Sequence, residues 1–235
     1  MLPDTMSESR ERINLGDLRR VTPVSRWFGF DRGRPVDRYY IERFLSAHAE
    51  DIRGRVLEFA DDSYTREFGG DRVTRGDVIH PKEGNPRATI VADLCRAEQI
   101  PADTFDCIIC TQTLMYIFEV AKAIRTLYRI LKPSGVLLVT FPGISQLSRE
   151  DMDEWGEHWR FTTLSAGRLF REVFPPANVE TKAHGNVLAA ISFLHGLVVE
   201  DLDEEELDYS DPDYEVLITV RAVKPGSISN RRRPR

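Results

Sequence analysis

Glu58, Asp77 and Asp93 are three carboxylates set along one stretch of chain, each at or just beyond the end of an expected strand. Glu58 ends Arg55-Val-Leu-Glu58, Asp77 lies 19 residues further on, and Asp93 follows Ala88-Thr-Ile-Val-Ala92. Three successive strands ending in carboxylates line a crevice at the carboxyl edge of a parallel sheet, where open α/β folds bind nucleoside ligands. A carboxylate there accepts both hydroxyls of a ribose through charge-assisted hydrogen bonds. The loop after Glu58 carries Asp61 and Asp62 where a phosphate-binding loop would carry glycines. Its charge repels phosphate and favours a cationic nucleoside.

A second group of reactive side chains lies in Asp151-Met-Asp-Glu-Trp-Gly-Glu-His-Trp-Arg-Phe-Thr162, which combines His158 with Trp155, Trp159 and Arg160. A His beside aromatic side chains at a pocket mouth suits general-base work on a hydroxyl. The plainer alternative is that His158 and the tryptophans only fill a lid. His184 and His195, on a strand end and an apolar helix, read as structural histidines, and Tyr116 as a core residue. Cys107-Ile-Ile-Cys110 has a redox or zinc spacing. It lies inside the apolar run Phe105–Cys110, however, where residues three apart on a strand face opposite ways. Buried core thiols are the expectation. No His, Asp and Cys cluster shows metal-ligand spacing, so no metal is expected.

These side chains need a scaffold, and 235 residues suffice for one α/β domain with short tails. The net charge of −6 argues against a general nucleic-acid binder. No apolar run approaches membrane-span length, and the first 25 residues lack a secretory apolar core, so a cytoplasmic, non-membrane protein is expected. Those first residues form a loose arm. Pro35 and Asp37 open a helix whose face carries Tyr40, Ile41, Phe44, Leu45 and His48. Strands are expected through Phe59, over 72–77, 88–92, 106–110, 136–141, 179–183 and 214–223. Residues 63–70 form a short helix or loop. Val120, Ile124, Leu127, Tyr128 and Leu131 mark the clearest helix, stopped by Lys132-Pro-Ser-Gly135. Further helices run over about 164–174, capped by Thr162 or Thr163, and from Asn186 to about 198. Residues 200–213 hold nine carboxylates in 14 positions and read as a solvated loop or frayed helix. Alternation of strands and helices gives an α/β sandwich with a mostly parallel sheet.

In three of its segments the chain resembles the class I S-adenosylmethionine-dependent methyltransferases, especially the small-molecule group. They are the Val56-Leu-Glu58 strand end, the strand Phe105-Asp-Cys-Ile-Ile-Cys110, and Leu131-Lys-Pro-Ser-Gly-Val-Leu-Leu-Val139. The resemblance implies a Rossmann-like three-layer sandwich, its seven-stranded sheet mostly parallel and the last strand antiparallel. It further implies a domain over 35–225 between an arm (1–34) and a basic tail (226–235), which is expected to be disordered. Carried over by position, Glu58 opens the family's glycine loop, with Ala60 at the first glycine position. Asp77 would accept the ribose hydroxyls, Asp93 would face the adenine amino group beside Leu94, and Thr111 and Gln112 would meet the methionine portion. Tyr39, on the leading helix, would reach over the cofactor.

The implied cofactor is S-adenosylmethionine and the implied partner a small-molecule acceptor, a sugar or natural product, methylated at oxygen with His158 as base. A nucleic-acid base is not expected as acceptor, since Thr111-Gln-Thr-Leu114 lacks the Pro-Pro-Tyr-like motif of base methylation. The family's glycine positions here hold Ala60, Asp62 and Tyr64. That departure motivates a second reading, a methyltransferase-like scaffold without transfer activity.

Overall fold

In the computed structural model, residue 14 and residues 16–227 are described. The arginine tail 231–235 lies outside them. Strands β1 (Gly54–Phe59), β2 (Val73–His80), β3 (Ile90–Val91), β4 (Phe105–Thr111), β5 (Leu131–Pro142), β6 (Val179–His184) and β7 (Leu217–Val223) form one sheet. Its order is β3-β2-β1-β4-β5-β7-β6. The first five strands run parallel, and β7 is antiparallel to both β5 and β6. Helices α1 (Val36–Ala47), α2 (Val120–Ile130), α3 (Arg149–Glu154), α4 (Thr163–Arg171), α5 (Val187–His195) and α6 (Glu204–Asp208) surround it.

The central strands are apolar on both faces because both faces are covered. Leu57, Ile108, Cys110, Leu137 and Val139 point into one cluster with α2 and α4. Val56, Cys107, Ile109 and Leu138 point into the other with α1 and α5. Cys107 and Cys110 therefore sit on opposite faces as free, buried thiols, as strand geometry requires. On α2, Ala123, Ile124, Leu127 and Ile130 are all fully buried at helical spacing. Each of the larger ones contributes about 1.5–3 kcal/mol by leaving water. Thr162 caps α4 by accepting the Ser165 N–H, and Asn186 caps α5 by accepting that of Ala189.

Several boundaries differ from the sequence reading, each for a local reason. β2 continues past Asp77 through Val78 and Ile79 to His80, paired to β1 as far as Phe59↔Ile79. β3 shrinks to Ile90–Val91, at the edge of the sheet beside β2. β5 begins at Leu131 with no loop after α2; Leu131 pairs with Phe105, and Ser134 takes a left-handed φ of 64° within the strand. Strand β7 begins only at Leu217, after an irregular approach. Residues 65–69 form a single π-helical turn. The expected arm is also partly ordered onto the domain. Val24 and Ser25 donate their N–H groups to the carbonyl of His195, and Phe28 packs on Phe193 at 5.8 Å between ring centres. Gly196 ends α5 with φ 68°, and a side chain there would strike the Ser25 carbonyl.

Candidate functional site

Strands β1, β2 and β4 end side by side, which sets the site. Ala60 follows β1 with φ 67°, a left-handed conformation that costs a residue with a Cβ about 1–2 kcal/mol. The loop thus keeps the backbone shape that glycine would normally supply. It is held there from both sides: the Ala60 N–H donates to the Ile79 carbonyl (3.1 Å) and Asn85 Nδ2 donates to the Ala60 carbonyl (2.6 Å). Asp62 lies between two guanidinium groups, Arg66 at 3.0 Å and Arg87 at 3.3 Å.

Glu58 is buried at the end of β1 and accepts the N–H groups of Thr65 (2.7 Å) and Tyr64 (3.2 Å), capping the turn that follows. Burial pushes its carboxyl up to about 7, against the pull of those two N–H groups. Tyr64 does not enter the crevice. Its ring lies 5.9 Å from that of Phe68, packed against the core cluster that contains α1, with the Arg38 guanidinium beside its hydroxyl.

Gln112 closes β4 with φ 45°, its N–H donating to the Thr140 carbonyl at 3.2 Å. Its side-chain oxygen is buried and has no hydrogen-bond partner. Such an orphaned acceptor costs about 1–3 kcal/mol until a donor arrives. Thr111 precedes it, with its carbonyl already taken by the Thr113 hydroxyl at 2.8 Å. Asp93 and Leu94 follow β3; the Asp93 carboxylate accepts the Cys95 N–H at 2.8 Å, and Leu94 is buried.

Two positions expected in the site lie elsewhere. Asp77 sits three residues short of the end of β2, buried, with Arg55 at 2.7 Å, Arg75 at 3.0 Å and the Thr89 hydroxyl at 3.1 Å on its oxygens. Burial opposes its ionisation, but the two guanidinium groups still hold the carboxyl below the usual range. It is a saturated structural carboxylate, and the strand end belongs to His80. Tyr39 is also committed away from the crevice. Its hydroxyl donates to Asp208 of α6 at 2.7 Å and accepts from Arg43 at 2.5 Å.

Sequence reading missed His80 because the acid at the expected spacing drew attention from the last apolar pair, Val78-Ile79, whose end it marks. The ring of His80 contacts Trp155 edge-on at 5.6 Å, and Nδ1 lies 2.7 Å from the Lys82 carbonyl. That contact fits an Nδ1–H tautomer with Nε2 free to accept. Lys82 in turn lies 4.0 Å from the Trp155 ring, so residues after α3 lean over the end of β2. His158 is exposed on the rim; its N–H donates to the Met115 carbonyl at 2.9 Å, and its ring packs edge-on to Phe118.

A left-handed first loop and β7 antiparallel between β5 and β6 define a fold class. Residues 43–139 match the family described as a methyltransferase domain. That segment is thus similar to methyltransferase domains, and the fold is that of the class I S-adenosylmethionine-dependent methyltransferases. Among solved structures, an S-adenosylmethionine-dependent methyltransferase of Archaeoglobus fulgidus is 11% identical, with TM-score 0.55, covering 85% of this chain and all (100%) of that one. The N-methyltransferase NodS of Bradyrhizobium japonicum, in complex with S-adenosylhomocysteine, is 16% identical with TM-score 0.50, covering 83% and 90%. A phosphoethanolamine N-methyltransferase of Haemonchus contortus, in complex with S-adenosylmethionine, is 16% identical with TM-score 0.48, covering 74% of this chain. This chain spans only about half (49%) of that protein. No curated protein matches the sequence. Among the described residues, no helix is long and apolar enough to cross a membrane.

Proposed function

We propose that this protein transfers the methyl group of S-adenosylmethionine to a hydroxyl of a small-molecule acceptor, a sugar or natural product. The observation that carries the cofactor assignment is Gln112, whose buried, unpartnered amide oxygen at the end of β4 suits the ligand's ammonium group. Around it, Ala60 offers its backbone, Leu94 an apolar wall for the adenine, and Asp93 a carboxylate for the exocyclic amine. His80 takes the ribose in place of Asp77, its Nε2 accepting a hydrogen bond from a ribose hydroxyl. When bound, the cofactor supplies an electrophilic methyl carbon; the chain aligns the acceptor and excludes water. His158, on the rim, removes the acceptor proton.

Titration calorimetry with S-adenosylmethionine and S-adenosylhomocysteine tests the first half of this reading. Saturable binding that Gln112→Ala weakens at least tenfold supports it; silence at millimolar ligand leaves a scaffold without transfer activity. A screen of hydroxylated acceptors with labelled methyl donor tests the second half. His158→Gln should lower kcat without changing cofactor affinity. A product labelled only at nitrogen would overturn the oxygen assignment.

A further inference from the structure

The first turn of α1 carries two adjacent charged groups that the chain leaves unmatched. Asp37 is only 8% exposed, and its Oδ1 is buried with no hydrogen-bond partner among the described residues. Burial pushes its carboxyl up, with the Arg38 charge pulling the other way. Among the described residues the half-buried Arg38 guanidinium forms no ion pair; Glu42, the carboxylate one turn on, is taken by Arg34 at 2.7 Å. A guanidinium partly withdrawn from water without a counter-ion is costly, and so is a buried acceptor without a donor. Two such groups on neighbouring residues suit a ligand that brings both an anion and a donor.

Their surroundings place that ligand. Arg38 lies beside the hydroxyl of Tyr64, in the turn that follows β1, and over the ring of Phe30 at 5.5 Å. Just before Phe30, the Arg26 carbonyl accepts from Nε2 of Gln146, on the loop after β5, at 2.8 Å. The Gln146 carbonyl in turn accepts from Arg160, in the segment of His158, at 2.6 Å. In the sheet β4 lies between β1 and β5. The start of α1 therefore joins the loops on either side of the β4 end, where Gln112 lies. It is tied to the segment of the proposed base rather than to the β2 and β3 ends assigned to ribose and adenine.

We propose that Asp37 and Arg38 form a recognition subsite for the methyl acceptor and that the acceptor is a hydroxy acid. The guanidinium fork takes its carboxylate, and the Asp37 oxygen accepts a hydrogen bond from the hydroxyl beside it. This rests on the methyl-transfer reading above and narrows its sugar or natural product to one that carries a carboxylate, as a uronic acid does. An arginine fork matches carboxylate and phosphate geometry alike. Here the one guanidinium stands near the carboxylates of Asp37 and Glu42, which repel a doubly charged phosphate more than a singly charged carboxylate.

Saturation-transfer NMR on the full chain loaded with S-adenosylhomocysteine tests this with two pairs of probes, glucuronate against glucose and lactate against 1,2-propanediol. The acid of at least one pair should bind, and its neutral twin at least tenfold more weakly. Arg38→Gln should weaken the acid about tenfold or more, the worth of a charge-assisted hydrogen bond, and Arg38→Lys should restore part of the loss. Melting temperatures verify that both variants stay folded; should Arg38→Gln unfold, Arg38→Lys and the contrast within each pair carry the test. Silence from both acids at about 50 mM overturns the inference. So does a neutral twin that binds as well as its acid, an Arg38→Gln chain that binds the acid unchanged, or glucose 6-phosphate binding more tightly than glucuronate. An Arg38→Gln chain that loses tenfold in affinity for S-adenosylhomocysteine overturns it too, since the guanidinium would then hold the carboxylate of the cofactor. If S-adenosylhomocysteine does not bind at all, the methyl-transfer reading falls, and the same probes on the chain alone still decide the subsite.

Discussion

Two buried groups with opposite pH dependence should nearly cancel in this protein, and single substitutions should unmask each. The Glu58 carboxyl rises from 4.5 to about 7 on burial. Its proton is held more tightly in the folded state, so the stabilisation this brings is fully present below pH 4.5 and lost as pH rises through 7. The size is about 3 kcal/mol at 1.36 kcal/mol per unit. The His184 ring falls from 6.5 to about 4, through burial first and the Lys182 charge second. It folds neutral, so its stabilisation is present above pH 6.5 and lost as pH falls through 4, again by about 3 kcal/mol or somewhat less. Between pH 4.5 and 6.5 the two slopes oppose each other. Urea unfolding at half-unit pH steps, compared between the wild type and each variant, measures them separately. Relative to the wild type, Glu58→Gln should gain about 3 kcal/mol between pH 4.5 and 7.5, whatever constant cost its altered cap adds. His184→Gln should shift the opposite way over the same range. A Glu58→Gln offset that is identical at pH 5 and pH 8 refutes the reasoning, as does a Glu58 carboxyl carbon that titrates near 4.5 by NMR.

Other perturbations address the crevice. Ala60→Gly should stabilise the fold by about 1 kcal/mol in urea by relieving the left-handed strain, and should not weaken cofactor binding by calorimetry. Asp77→Asn should cost about 2–3 kcal/mol of stability by stripping Arg55 and Arg75 of their shared partner, while cofactor affinity stays within twofold. His80→Ala should show the reverse pattern, with stability changed little and affinity lowered about tenfold, one hydrogen bond's worth. Tyr39→Phe should lose about 1 kcal/mol of stability through its contact with Asp208 and leave the cofactor titration unchanged.

The central sheet was legible because its strands announce themselves by composition. Val56-Leu57, Cys107–Cys110 and Val136–Phe141 are apolar on both faces, the pattern of strands covered on both sides. Helix α2 was equally plain from its Val120–Ile124–Leu127 spacing. Gln112 was singled out by its place just after β4, although nothing in the sequence foretold that its backbone would turn left-handed and its amide oxygen lack a partner. Asp77 misled because spacing from Glu58 was weighed above the apolar pair behind it; Val78 and Ile79 carry the strand on, and the arginines that saturate Asp77 come from two different strands. Tyr39 misled for a different reason. It lies off the helix face that meets the sheet, and its burial arises when α6 folds over it, a contact 169 residues away in sequence. Lys132-Pro-Ser-Gly135 has the chemistry of a helix stop, but α2 already ends at Ile130 and the segment lies within β5, because Leu131 pairs with Phe105.

Trp155 gives the protein a built-in optical reporter. Its indole touches the His80 imidazole and the Lys82 ammonium at the strand end where the proposed site would seat the nucleoside, whereas Trp27 is 68% exposed. Replacing Trp27 and Trp159 with phenylalanine would leave one emitter, quenched or brightened as the neighbouring cation and ring shift. Occupancy of the crevice could then be followed in a stopped-flow cell without labelling the chain or its ligand.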